Sequence, residues 1–210
     1  LCQVLLNPGD KVLVPSPYWV SYPEMIKLAG GETVVLPASG DNGFKITADQ
    51  IRDNAEGAKA IILNSPSNPT GVTYTPEELT EIANAVIDTG LIVISDEIYE
   101  KLIYGDTTFV SIAALDPRLP ERTITVNGLS KSFAMTGWRL GWLAGPADVI
   151  DGVKRLMSHQ TTNPVSFAQA GALAAYTDPQ GAEIVKQMRQ EFEKRGVHIA
   201  QRLNAIDGVK

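Results

Sequence analysis

Cysteine, histidine and long apolar runs are what this chain of 210 residues has least of. Its single thiol, Cys2, cannot close an intrachain disulfide. A disulfide-stapled secreted scaffold is therefore excluded, and a reducing, cytoplasmic compartment is expected. Cys2 itself reads as a small apolar residue in a packed environment. No apolar run approaches the roughly 20 residues of a membrane span, and no secretory signal opens the chain. No block of basic residues occurs, and the net charge is −6, which argues against a nucleic-acid footprint. Internal repeats and low-complexity linkers are missing too. So is an initiating Met: LCQVLLNPGD reads as the end of a helix closed by Asn7-Pro8-Gly9, and RLNAIDGVK stops as abruptly. The chain is expected to be an internal piece of a longer protein.

What is present is the composition of an ordinary globular protein, long enough for one large domain or a domain plus part of a second. Short apolar runs alternate with helical patterns. Strands are predicted at Lys11–Val14, Thr33–Leu36, Ala60–Leu63, Leu91–Ser95, Thr123–Val126 and Gly141–Ala144. Several are apolar at consecutive positions, as strands buried on both faces tend to be. Between them, Thr47-Ala-Asp-Gln50 is a capping box, and Thr75-Pro76-Glu77-Glu78 is a better one, with Pro at the first helical position. The helix it opens is predicted to close at Gly90. This alternation implies a mainly parallel sheet with helices on both faces. From about Gly181 the pattern changes: Ile184, Met188, Phe192, Ile199 and Leu203 recur at helical spacing on a charged segment, predicting one long helix over 181–210.

Ligands of open α/β sheets bind at the carboxyl ends of the strands. Four such ends deliver polar groups: Pro15-Ser-Pro-Tyr-Trp19, NSPSNPTG over 64–71, Asp96-Glu97-Ile98-Tyr99, and Asn127-Gly-Leu-Ser-Lys131. Taken singly, each has a plainer reading. Asp96 is either an N-cap or the partner of a buried cation. Tyr99 and Trp19 are packed rings, Asn68 a turn residue, Lys131 a surface lysine and Arg139 an ion-pair partner. These readings weaken together if all six face one pocket.

The ordered set NSPSNPTG, SDEIY and LSKSFAMTGWRLG resembles the large domain of fold-type I pyridoxal-phosphate enzymes, in particular the class I aminotransferases of the aspartate aminotransferase family. The resemblance covers essentially the whole chain. It implies an α/β fold, three-layer αβα with a mainly parallel sheet, incomplete at both ends. Residues 1–180 would be the cofactor-binding large domain without its N-terminal part, and 181–210 a connecting helix toward a small domain.

The resemblance also implies roles. Lys131 forms a Schiff base with the aldehyde of pyridoxal 5'-phosphate, with its pKa lowered by burial or nearby cations. Arg139 binds the cofactor phosphate as a planar fork, and Ser130 adds a hydroxyl. Gly128 stands where some relatives have a further phosphate-binding serine. Asp96 pairs with the pyridine nitrogen, Asn68 and Tyr99 donate to the phenolic oxygen, and Trp19, rather than Tyr18, stacks on the ring. The peptides preceding Pro17 and Pro69 are expected to be cis. Thr162-Asn163-Pro164 resembles a segment that reaches the neighbouring subunit's site, implying a homodimer with shared active sites; the alternative is a plain Asn-Pro turn. His159 and His198 match no catalytic position and read as structural, and no metal is expected. A glycine-containing phosphate turn and a substrate-carboxylate arginine are expected in parts outside the chain.

The implied reaction is ping-pong amino transfer between an amino acid, by default aspartate, and a 2-oxo acid such as 2-oxoglutarate. Lys131 would act as general base and then acid. Two other readings share the cofactor residues: a pyridoxal-phosphate lyase of the carbon–sulfur type, and an aminotransferase-like sensor domain of a transcription regulator.

Overall fold

Strand β1 (Lys11–Ser16) shows why this sheet lies between two helical layers. Val12, Leu13 and Val14 are all buried, so both faces of the strand need cover. Val12 and Val14 pack with Tyr22 and Ile26 on one side; Leu13 packs with Ile51, Leu79 and Ile82 on the other. The same alternation continues in β3 (Ala58–Asn64), where Ala60 and Ile62 face the first cluster and Ile61 and Leu63 the second. The computed structural model describes residues 1–209.

Six strands form one sheet: β1, β2 (Glu32–Pro37), β3, β4 (Ile92–Asp96), β5 (Thr123–Gly128) and β6 (Gly141–Ala144), in the order β2-β1-β3-β4-β5-β6. The first five are mutually parallel, and β6 runs antiparallel to β5. Each predicted strand is present, and β1 to β5 continue past their predicted carboxyl ends. Asp96 is thus the last residue of β4 rather than a loop residue.

On one face lie α1 (Cys2–Leu5), α2 (Ser21–Leu28) and α6 (Ala147–Gln160); on the other lie α3 (Ala48–Asn54) and α4 (Pro76–Thr89). Both predicted capping boxes are formed, at Thr47 and Thr75. Helix α4 ends at Gly90, which takes the left-handed conformation that favours glycine. At its start Thr75 Oγ1 accepts from the Glu78 amide at 3.2 Å, while Glu78 Oε2 accepts from the Thr75 amide at 2.7 Å and from Lys45 Nζ at 2.6 Å. Thr75→Ala leaves the Glu78 amide without its partner and is expected to cost about 1 kcal/mol. Equilibrium urea unfolding at fixed m-value is the check, and an unchanged midpoint would show the cap to be dispensable.

The remaining helices are α5 (Leu129–Ser132), α7 (Ser166–Thr177) and α8 (Pro179–Asn204). Helix α8 differs from the expected span. It starts earlier because Asp178 caps the Gln180 amide and Pro179 occupies the first turn. It closes at Asn204, ahead of Gly208 with φ +85°. Position 210 of the predicted helix lies outside the described residues. Most of the apolar stripe of α8, including Ile184, Phe192, Ile199 and Leu203, is exposed. Among the described residues no helix is long and apolar enough to cross a membrane.

Candidate active site

The chain leaves β1 toward β2 in one direction and later builds β3, β4 and β5 in the other. The carboxyl ends of β1 and β3 therefore flank a topological switch point, where open α/β sheets bind ligands. A cleft opens there, lined among others by Ser16, Tyr18, Tyr22, Asn64 and Asn68.

Asp96 stands beside it. The Tyr22 hydroxyl donates to its Oδ2 at 2.6 Å, and the Ile98 amide donates to its Oδ1 at 3.2 Å. Burial raises the pKa of this carboxyl, and those two donors pull it back. Burial, and then the charge of Asp96, push the Tyr22 phenol far above its ordinary value, so it stays a donor. Of the two readings of Asp96, neither holds as stated among the described residues: no helix starts after it to be capped, Oδ1 closing a local turn with the Ile98 amide, and Oδ2 meets a phenol across the fold rather than a cation. The next residue, Glu97, is also buried; its Oε1 accepts from Ser95 Oγ at 3.0 Å and Ser111 Oγ at 2.6 Å. Burial raises its pKa as well. Those bonds pin the loop that carries Tyr99.

Lys131 and Arg139 share one connection. β5 ends at Gly128 and β6 begins at Gly141, its register partner, so residues 129–140 leave and re-enter the same rim. Lys131 is exposed in α5, with Nζ 5.7 Å from the centroid of the Tyr99 ring. The expected burial of this amine is not provided by residues 1–209: α5 is a single turn whose buried side chains are Leu129 and Ser132. Arg139 is exposed as well, holds φ 54° and ψ 48°, and donates from a terminal nitrogen to the Thr136 carbonyl at 3.0 Å. A left-handed backbone at a non-glycine residue is strained and tends to occur where function requires a particular aim. Ser130 is half-buried, its carbonyl accepting from Thr136 Oγ1 at 2.9 Å. At Gly128 a Cβ would lie 2.9 Å from Gly141 Cα and 2.9 Å from the Leu140 carbonyl oxygen. The β5–β6 approach thus closes this position to a side chain.

Trp19 is 42% exposed, its ring meeting Tyr22 edge-on at 5.6 Å, whereas Tyr18 packs against the core. Trp19 is thus the more exposed of the two rings, while Tyr18 lines the cleft. Asn68 lines the cleft, and its amide donates to Asn64 Oδ1 at 2.7 Å. The peptides before Pro17 and Pro69 are cis, as expected, and so is Ser65-Pro66. Asn163 lies exposed between α6 and α7, next to Thr162 at φ 65°. His159 and His198 are exposed on α6 and α8. Sequence reasoning missed Tyr22, Asn64 and Glu97. The one available signal was the spacing of Tyr22 from Trp19, a single helical turn.

A mainly parallel sheet between helical layers, with a carboxylate at the end of β4 and an amine and a guanidinium on the β5–β6 connection, has the fold of the pyridoxal-phosphate transferase class. The family model described as aminotransferase class I and II matches residues 1–210, and the chain belongs to that family. It is 52% identical over 99% of its length to the aspartate aminotransferase of Geobacillus stearothermophilus, covering 53% of that relative. To the aspartate aminotransferase of Bacillus subtilis it is 49% identical, again over 99% of this chain and 53% of the relative. A solved aspartate aminotransferase from Rhizobium meliloti superposes with a TM-score of 0.95 at 34% identity, over 99% of this chain and 52% of that one. An aromatic aminotransferase from Pyrococcus horikoshii gives 0.93 at 43% identity, over 96% and 54%. The chain spans about half the length of the curated relatives it matches. Class I aminotransferases of the aspartate aminotransferase type use pyridoxal 5'-phosphate.

Proposed function

We propose that the full-length protein transfers amino groups between an aspartate-like amino acid and a 2-oxo acid such as 2-oxoglutarate, with pyridoxal 5'-phosphate bound at the strand rim. The observation that carries this reading is the anchored carboxylate of Asp96 beside the switch-point cleft, each oxygen accepting one protein donor. The groups carried by the strand ends and their loops suit the cofactor: one acid, one primary amine, one phenol, one guanidinium and one exposed indole. When bound, the cofactor supplies an aldehyde that takes up amino groups and a ring that accepts the electron pair left by a departing α-proton.

The chain's own groups do the rest. Asp96 holds the proton on the ring nitrogen. Lys131 would hold the aldehyde and, once the substrate amine is bound, would move the α-proton as base and then acid. Asn68 and Tyr99 donate to the phenolic oxygen, Trp19 covers one ring face, and Arg139 with Ser130 grips the phosphate. Residues 1–180 serve as the large domain, and α8 leads on to a second one. Asn163 and its neighbours reach the partner's site in a homodimer. Aspartate is the default substrate because the relatives at 52% and 49% identity bear that name.

The test is a visible spectrum of the full-length protein loaded with cofactor. L-aspartate should bleach the band of the lysine-bound form, and 2-oxoglutarate should restore it with stoichiometric oxaloacetate and glutamate. Pyruvate and ammonia from a cysteine-type substrate, with no amino acceptor needed, would instead establish a lyase. Binding without turnover on any amino acid would establish a sensor.

A further inference from the structure

Asn64 is the last residue of β3 and the register partner of Asp96, the last residue of β4. Past this pair one backbone bond remains, from the Ser65 amide to the Asp96 carbonyl at 3.3 Å. The strand of Asn64 runs into a loop with two cis peptides, and that of Asp96 turns away. The Asn64 side chain bridges the gap with both ends of its amide. Nδ2 donates to the Asp96 carbonyl at 3.0 Å, and Oδ1 accepts from the Asn68 amide at 2.7 Å. The loop beyond is closed mainly on itself, through Ser67 N to the Val72 carbonyl at 2.9 Å and Gly71 N to the Ser67 carbonyl at 2.8 Å. A second side-chain tie to the strand end runs from the Tyr74 amide to Ser65 Oγ at 3.3 Å. The Asn68 amide is therefore held directly by the Asn64 side chain, which shares the Asp96 carbonyl with the Ser65 backbone amide.

We propose that Asn64 is a positioning residue that sets Asn68 and Asp96 at a fixed separation, so that one cofactor ring meets an acid at its nitrogen and an amide donor at its phenolic oxygen. The proposal rests on the reading that Asn68 and Asp96 touch that ring. An asparagine suits the task because a single planar amide carries both a donor and an acceptor. Serine is too short to reach both partners, and a carboxylate would face the Asp96 carbonyl with a lone pair.

The experiment titrates full-length protein with pyridoxal 5'-phosphate and follows two readouts: the dissociation constant, and the pH midpoint of the visible band. Losing the donor at the phenolic oxygen leaves more charge there to hold a proton on the neighbouring nitrogen, which moves the midpoint upward. Asn64→Ala should weaken cofactor binding about tenfold, the size of losing one or two neutral hydrogen bonds, and should raise the midpoint. Adding Asn64→Ala to Asn68→Ala should raise it no further, because the first acts through the second. A folded Asn64→Ala protein with wild-type midpoint and affinity, while Asn68→Ala shifts the midpoint, overturns the role of Asn64 alone. If Asn68→Ala and Asp96→Asn leave both readouts unchanged, the ring contacts themselves are misassigned and the proposal falls with them. Asn64→Ser repeats the measurement should the alanine variant not fold. Failure of both to fold assigns Asn64 to fold integrity and also overturns the proposal.

Discussion

Lys131→Ala is expected to lower amino transfer by about four orders of magnitude or more, because one side chain supplies both the covalent nucleophile and the proton-transfer group. Lys131 is exposed in α5 and its amine makes no hydrogen bond or ion pair among the described residues, so the same substitution should leave the unfolding midpoint nearly unchanged. That separation of activity from stability is the signature of a chemical role. Lys131→Arg sharpens it: a guanidinium keeps the positive charge but never deprotonates near neutral pH, so it can neither attack an aldehyde nor accept an α-proton. The arginine protein should be as inactive as the alanine protein while retaining cofactor affinity better. Single-turnover kinetics with L-aspartate, read in the visible band, make the comparison. Near-normal turnover in either variant would remove Lys131 from the chemistry.

The architecture around that lysine was legible in sequence to an uneven degree. The strands were readable because consecutive apolar residues at Val12–Val14 and Ala60–Leu63 require cover on both faces. Both helix starts with S/T-x-x-E/Q boxes were readable because capping is a local interaction. The reversal of β6 was not drawn from the pattern, since Gly-Trp-Leu-Ala reads alike in either direction. The structure shows the reason: residues 129–140 hold only the single turn of α5 and a 3-10 turn at Thr136–Trp138, with no crossover helix of the kind that joins parallel strands. The polar tethers were the least legible. Tyr22 and Ile26 are both buried one turn apart on α2, so Tyr22 reads as a core ring, and only the packed fold brings its hydroxyl to Asp96. Asn64 gains its meaning from the β3–β4 register, which no local pattern encodes. The exposure of Lys131 went against expectation for a related reason: burial of a side chain on a rim is decided by whatever packs over that rim, not by the strand it follows.

Asp96→Asn should cost activity about as heavily as losing a preorganised electrostatic partner, on the order of a thousandfold, while making the fold no less stable. The reason lies in the sign of its pKa shift. Burial raises the Asp96 pKa above its unfolded value. The folded state therefore holds the proton more tightly than the unfolded chain, and stability falls as pH rises through the window between the two values. Above that window the ionised carboxylate is a cost the apo fold carries, and an isosteric amide removes it, its oxygen accepting from the Ile98 amide and its NH2 donating to the Tyr22 hydroxyl, which then turns from donor to acceptor. Urea unfolding of the two cofactor-free proteins should accordingly show the asparagine variant gaining on wild type from acid toward neutral pH. Tyr22→Phe probes the same carboxylate more gently. It deletes the donor to Oδ2, which raises the Asp96 pKa further, so the acid limb of the pH–rate profile should move upward, with about a tenfold loss of rate at neutral pH. An acid limb that stays in place in the phenylalanine variant, or an asparagine variant with wild-type turnover, would mean that the charge on Asp96 is not what the rim is built to hold.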